Sequence, residues 1–474
     1  MTNFERKGLG LTLNRGRLRA LCLTLSFFVL SLLPSQGVAQ QVTPAERVVP
    51  SPASKEAAEA ARLVTEFEVN GLKVLVKRRE GSQTVVAGLF LRGGSRNVTA
   101  ENAGVEALML DVATEASANF PRERMRRELS RTGTSISYGI NYDYSALTLA
   151  STRNSFDRSW EIFTDAVTRP SFAPEDFARV KNRIVVGLSN DQDVPDSHLQ
   201  VLQSRVAYTG HPYLNDPRGT PESVGRLTID DVKRFHQQMM QTSRMLLVIV
   251  GDLDAQKFRR QVEATLGKLP RGDYRATPTP PLVFEAQTVQ VTPRGLPTNY
   301  VQGVFAAPTL SAPDIYPMRI AASILQNRVF VEVRVRRNLS YAPDAFLGSQ
   351  AANTGGIYVT AVDANQAVRV MLDEIARLQN QPISPDELKA TVQQFLTKHY
   401  LGQETNAAQA GDLAQYELLG GGWRNSVGFI ERLRTVTPED VQRVSKTYMR
   451  NLRFVVLGDP RSINTNVFTG QAGE

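Results

Sequence analysis

Alternation of apolar and polar residues runs through Thr65-Glu66-Phe67-Glu68-Val69, stops at Asn70-Gly71 and resumes over Leu72 to Lys77. A period of two puts every second side chain on one face of a strand. Asn-Gly between two such runs is a hairpin signal, because a type I′ turn needs φ > 0 at both central residues. A third strand is predicted over Thr84 to Leu91. From Gly104 the period becomes helical, and it returns over Arg122 to Arg131 and over Asn154 to Thr168. Between these lie strand patterns at Ser135 to Tyr138 and Tyr144 to Ala150. A helix over Pro174 to Ser189 opens on Pro-Glu-Asp, which suits the positive end of the helix dipole.

The pattern then repeats itself. Thr228-Ile229-Asp230-Asp231-Val232-Lys233-Arg234 leads to the apolar run Leu246 to Val250 and Gly251-Asp252. Thr437-Pro438-Glu439-Asp440-Val441-Gln442-Arg443, 209 residues later, leads to Phe454 to Leu457 and Gly458-Asp459. From Thr228 to Gly251 is 23 residues and from Thr437 to Gly458 is 21. This reads as a duplicated α+β domain. One copy spans 64–274 and the other 284–465, with a proline-rich linker at 275–283 and a tail at 466–474.

Before residue 64 the pattern differs. Arg15, Arg17 and Arg19 precede the uncharged apolar run Ala20 to Leu33, and Gly37-Val38-Ala39 has the small-x-small form of a signal-peptidase site. Fourteen residues fall short of the ~20 that span a bilayer. The expectation is a secretory signal over 1–39 cut after Ala39, a leader or short helix over 40–63, and no stable membrane insertion once the signal is gone. The single cysteine, Cys22, leaves with the signal, so the mature chain has no thiol ligand and no disulfide. Cleavage also removes five basic residues and one acidic one, so a formal charge of +8 falls to +4. The clusters Arg122 to Arg127 and Arg334 to Arg337 lie in helical patterns and read as solvated helix faces. Without basic–aromatic interleaving, nucleic acid is excluded as a partner.

Little in the chain points to catalysis by itself. His198, His211, His236 and His399 include no pair at helical ligand spacing. Glu101, Glu106, Asp111 and Glu115 form a loose acidic set, but residues five apart share a helix face poorly. No Gly-x-Ser-x-Gly elbow or phosphate loop is present.

Gly94-Ser95-Arg96 after a strand, then Asn102 and Gly104 opening a helix, resembles the zinc-site segment of insulinase- and pitrilysin-type metallopeptidases. That family carries Gly-x-x-His-x-x-Glu-His on the helix. Counted from Gly104, its first His falls on Ala107, its general-base Glu on Leu110 and its second His on Asp111. Counted back from Asp193 and Pro195, its third ligand, a Glu, falls on Gly187. The resemblance therefore implies a degenerate site, with no metal and no cofactor in this chain.

In the second half, Phe330-Val331-Glu332-Val333-Arg334, continuing to Tyr341, is similar to the family's Arg-x-x-x-x-x-x-Tyr segment. There the Arg and Tyr bind the substrate carbonyl and help stabilise the oxyanion, as fixed donors aimed at developing charge can. The resemblance covers roughly residues 64 to 465. It extends to the processing-peptidase branch, in which two chains close into a clamshell, one bearing zinc and the other the Arg–Tyr pair. It implies two homologous sheet-plus-helices domains forming half of such a chamber. The expected function is an exported, periplasmic, non-zinc subunit of a heterodimeric metallopeptidase. It acts on extended peptides through Arg334 and Tyr341, with zinc in a homologous partner that bears the zinc motif. The alternative is a stand-alone, inactive peptide-binding or scaffold protein of the cell envelope. Gly420-Gly421-Gly422 is read as a helix-ending turn rather than a substrate loop.

Overall fold

The computed structural model describes residues 52–470. The expected signal, its cleavage point and Cys22 lie outside the described residues, as do most of the leader and the last of the tail. The leader's final stretch is the helix α1 (Pro52–Arg62). Among the described residues no helix is long and apolar enough to cross a membrane.

The first hairpin forms as its turn chemistry dictates. β1 (Val64–Val69) and β2 (Leu72–Arg78) pair antiparallel with Val69 opposite Leu72. Asn70 at φ 47° and Gly71 at φ 85° supply the two left-handed turn residues. β3 (Thr84–Arg92), β4 (Ser135–Ile140), β5 (Tyr144–Thr152) and β6 (Met245–Gly251) complete a sheet of order β1-β2-β6-β3-β5-β4. Between them lie α2 (Val105–Ala113), α3 (Arg122–Thr132), α4 (Phe156–Thr168), α5 (Pro174–Asn190) and α6 (Pro195–Ala207).

The second half repeats this wiring. β7 (Thr288–Pro293), β8 (Asn299–Ala306), β9 (Asp344–Leu347), β10 (Thr354–Ala361) and β11 (Arg453–Gly458) take the order β7-β11-β8-β10-β9. In each sheet the last strand inserts between two earlier ones, β6 parallel to β2 and β11 parallel to β7, and β1 is an extra edge strand of the first sheet. The repeated Thr-x-x-Asp segments are capping boxes opening the helices Ile229–Met239 and Pro438–Tyr448. The duplication legible in the sequence is thus a duplicated sheet topology.

The linker marks where the sheets change, not where the packing stops. One face of the first sheet packs on its own helices. Its other face, with Leu75, Phe90, Leu246 and Val248, is covered by Leu413, Ala414 and Trp423 of the second half. Reciprocally, Leu199 and Leu202 of α6 lie on Val455 and Leu457 of β11. Both central strands are therefore buried on both faces, and β6 reads as an unbroken apolar run, Met-Leu-Leu-Val-Ile-Val-Gly. The exchange of covering helices makes the described residues one compact unit.

Candidate functional site

The helix α2 starts at Gly104, whose φ of 91° favours glycine. A Cβ there would stand 2.5 Å from a Val224 methyl and 2.8 Å from the Arg218 carbonyl oxygen. Gly94, at φ 51°, is similarly hemmed in by the Tyr142 backbone. These glycines persist for reasons of fold and need no metal to explain them.

The four positions where zinc ligands would stand lie on α2 and α5. Ala107 and Leu110 are buried in the apolar core and offer no donor atom. Gly187 is an exposed backbone position of α5. Asp111 is the one carboxylate, and its oxygens are already engaged. One accepts a hydrogen bond from the Tyr138 hydroxyl of β4 at 3.0 Å, and the other from Arg183 of α5 at 2.7 Å. Arg183 sits one helical turn before Gly187 and crosses from α5 to α2 with its own charge. A zinc ion needs three or more neutral or anionic donors around an open position, and these residues do not fit one. Among the described residues no group of three or more His, Cys, Asp or Glu could hold a metal ion.

Around Asp111 the charges interlock. Arg179 bridges Glu115 and Asp176 at 2.8 and 2.7 Å, and Arg122 reaches Asp176 at 3.1 Å. Arg122, which the sequence suggested for a solvated face, therefore ties α3 to α5. The loose acidic set does not converge, because Glu106 points away into the core. There it accepts hydrogen bonds from Ser145 and, at 3.2 Å, from Asn97. Two of the four histidines are held by backbone groups: His211 by Tyr213 N–H and Pro280 C=O, His236 by Val167 C=O.

Glu106 has a consequence for stability. Burial pushes its carboxyl up from the ordinary 4.5 to about 7, against its hydrogen bonds and the charge of Arg244. A raised acid pKa means that between these two values the folded chain holds a proton which the unfolded chain has lost. This group's contribution therefore falls as pH rises from about 4.5 to about 7, by an amount on the order of 3 kcal/mol. Glu106→Gln should remove that decline. Urea midpoints of both proteins at pH 5 and pH 7.5 measure it, and identical pH slopes would refute the assignment.

Arg334 and Tyr341 are brought together at the far end of the second half's first helix. The helical pattern of the sequence runs on through Arg334 to Arg337. The structure instead has an α-helix over Ile315–Val329 and then a wider π turn over Phe330–Arg336. Glu332 supplies a physical reason, since its carboxylate pairs with both Arg336 and Arg337, four and five residues on. The five-residue spacing matches the π repeat. Asn338 at φ 50° then turns the chain back. Arg334 Nη1 donates to the Tyr341 carbonyl oxygen at 3.0 Å, and its guanidinium lies 5.7 Å from the Tyr341 ring centre.

Tyr341 is 78% exposed, so it is not a core aromatic, and on the π turn Val335 and Phe330 are 64% and 39% exposed, with Arg334 lying over the Phe330 ring. No carboxylate pairs with Arg334 among the described residues. The arrangement is an outward-facing guanidinium and phenol with an apolar fringe, able to donate to a carbonyl or bind an anion. No hydrogen bond or ion pair joins this pair to the Asp111 network among the described residues. Gly420 to Gly422 end the helix Asn406–Leu419, with Gly421 and Gly422 at positive φ, and lead into the buried Trp423.

Comparison with known proteins adds the lineage. The model described as Insulinase (Peptidase family M16) matches residues 73–216, and that described as Peptidase M16 inactive domain matches residues 226–395. The chain belongs to the insulinase family. Within that family it is similar to an uncharacterized zinc protease of Streptomyces coelicolor. The two are 21% identical over 394 residues, 79% of this chain and 85% of that protein. It is also similar to the mitochondrial-processing peptidase subunit beta of Blastocladiella emersonii. That identity is 21% over 417 residues, 82% of this chain and 87% of that one. A solved peptidase M16 inactive domain from Pseudomonas fluorescens superposes with a TM-score of 0.76 at 18% identity. The match covers 84% of this chain and 98% of that one, and it shows the shared fold.

Sequence reasoning singled out the degenerate positions and the Arg–Tyr pair through motif spacing. It missed Arg183 and Tyr138, the residues that engage Asp111. They stand 72 and 27 residues from Asp111, and no local pattern ties them to it.

Proposed function

We propose that this chain is the exported, non-zinc subunit of a heterodimeric insulinase-family peptidase. Its partner is a homologous chain that carries the zinc, and this chain supplies half of the chamber and the Arg334–Tyr341 pair. The observation that carries this reading is the contrast between the two sites. The zinc locus is closed by an Asp111–Arg183 ion pair, whereas Arg334 and Tyr341 stand exposed with unspent donors. An exposed guanidinium and phenol without a counter-charge are suited to a substrate carbonyl whose oxygen gains charge during hydrolysis. The extended peptide joins the free edge of β4, one of the two edge strands of the first sheet, by backbone hydrogen bonding.

Affinity capture of the tagged mature chain from its native envelope extract, read by mass spectrometry, tests the partnership. Recovery of a similar-sized chain with an intact His-x-x-Glu-His, together with peptide hydrolysis by the pair, is the expected result. Recovery of no such chain, with peptide binding but no hydrolysis, would establish the alternative of a stand-alone binding or scaffold protein.

A further inference from the structure

A second cationic feature shares no lining residue with the Asp111 network or the Arg334–Tyr341 pair. A cavity of about 290 Å³ is lined by Arg96, Asn97, Gln238, Arg244, Tyr274 and Thr277, over an apolar floor of Phe235 and Met239. It has two arginines and no acidic residue in its wall. Neither arginine forms an ion pair with a carboxylate among the described residues. Arg244 spends Nη1 on the Arg92 carbonyl oxygen at 3.2 Å and on Asn97 Oδ1 at 2.8 Å. Its Nε is buried without a partner, and its guanidinium stacks 3.9 Å from the centre of the Tyr274 ring. Arg96 gives Nε to the Gly93 carbonyl oxygen and Nη1 to that of Thr277. Nη2 of each arginine has no hydrogen-bond partner among the described residues. The nearest acids make their hydrogen bonds elsewhere: Glu106, which feels the Arg244 charge but forms no ion pair with it, is held by Ser145 and Asn97, and Asp143 by Tyr213 and the Ala351 amide.

We infer that this cavity is an oxyanion-binding site, taking a phosphate group or the carboxylate of a peptide end. Half-buried arginines without a carboxylate are costly unless an anion joins them. Forked guanidinium donors match the oxygens of phosphate and carboxylate alike. The space is ample, since one ordered water needs roughly 10–15 Å³. Tyr274 and Thr277 belong to the irregular stretch that joins the two halves. A bound anion therefore fastens that connection to the end of β3 and the start of β6. Nothing in this inference depends on a partner chain or on proteolysis.

The test is calorimetric titration of the mature full-length chain with inorganic phosphate at fixed ionic strength, with chloride as the control. A short peptide with a free C-terminus and its amidated form are titrated in parallel. Saturable binding of phosphate, of the free-carboxylate peptide or of both is expected, and the pattern identifies the source of the anion. Arg96→Gln and Arg244→Gln should each weaken it at least tenfold, the scale of one lost charge-assisted hydrogen bond. Arg244 also braces Asn97, so Arg244→Lys serves as the fold-preserving variant. It should keep the native melting curve and still bind several-fold more weakly, because an ammonium cannot fork. No saturable binding of phosphate or of the free peptide, or equal affinity in wild type and all three variants, overturns the inference.

Discussion

In the proposed two-chain peptidase, Arg334→Ala and Tyr341→Phe are each expected to lower turnover about 100-fold or more, the scale on which loss of one oxyanion donor acts. The expectation rests on exposure. Arg334 projects from a π turn and Tyr341 from the loop that follows it, and neither packs in a core nor neutralises a charge, so removing them should change stability within about ±0.5 kcal/mol. Tyr341→Phe deletes a single hydroxyl and keeps the ring over which Arg334 lies. A loss confined to kcat would mark a donor that works in the transition state, whereas a rise in KM alone would mark plain substrate binding. Steady-state kinetics on the co-purified pair, with subunit association checked by size-exclusion chromatography, makes the distinction. Full activity in both variants would remove these residues from the reaction.

The second large effect falls on stability, at the join between the halves. Trp423 is 2% exposed and packs in the cluster formed by the outer face of the first sheet. Its indole N–H donates to Glu66 at 2.8 Å, and Arg424 lies over its ring at 4.5 Å. That indole hydrogen bond is the chief cause holding the Glu66 carboxyl below its ordinary range, with Lys73 contributing. Trp423→Ala should cost about 3–5 kcal/mol, from lost burial and the cavity left behind. Because the helix Asn406–Leu419 and Trp423 cover a sheet of the other half, the loss should appear as one cooperative transition moved to lower urea. Trp423→Phe keeps most of the volume and should lose clearly less. A Trp423→Ala midpoint close to wild type would show that the second half does not hold the first sheet's outer face.

The part of the fold legible in the sequence is the part set by short-range constraints. Asn70-Gly71 dictates a turn through its φ angles, and the strand and helix periods set which faces are apolar. The Thr-x-x-Asp capping boxes mark two equivalent helices, and through them the duplication. The end of the Arg334 helix was not legible, because the π turn rests on a carboxylate clasped by two arginines in three dimensions. The candidate sites divide in the same way. Ala107, Leu110, Asp111 and Gly187 follow from counting along a motif, and so does the spacing of Arg334 from Tyr341.

What chemistry those positions have now depended on partners far along the chain. Asp111 meets Arg183 only because α2 packs on α5, and Arg96 meets Arg244 in one cavity only because β3 lies beside β6. The sequence by itself determined the elements, the repeat and the absence of ligand side chains, since each depends on local geometry or on residue type. The tertiary structure alone decided which charges are neutralised, which arginines face a cavity free of carboxylates, and which half covers which sheet. Those outcomes depend on burial and on contacts between residues up to hundreds of positions apart, which no short-range pattern encodes.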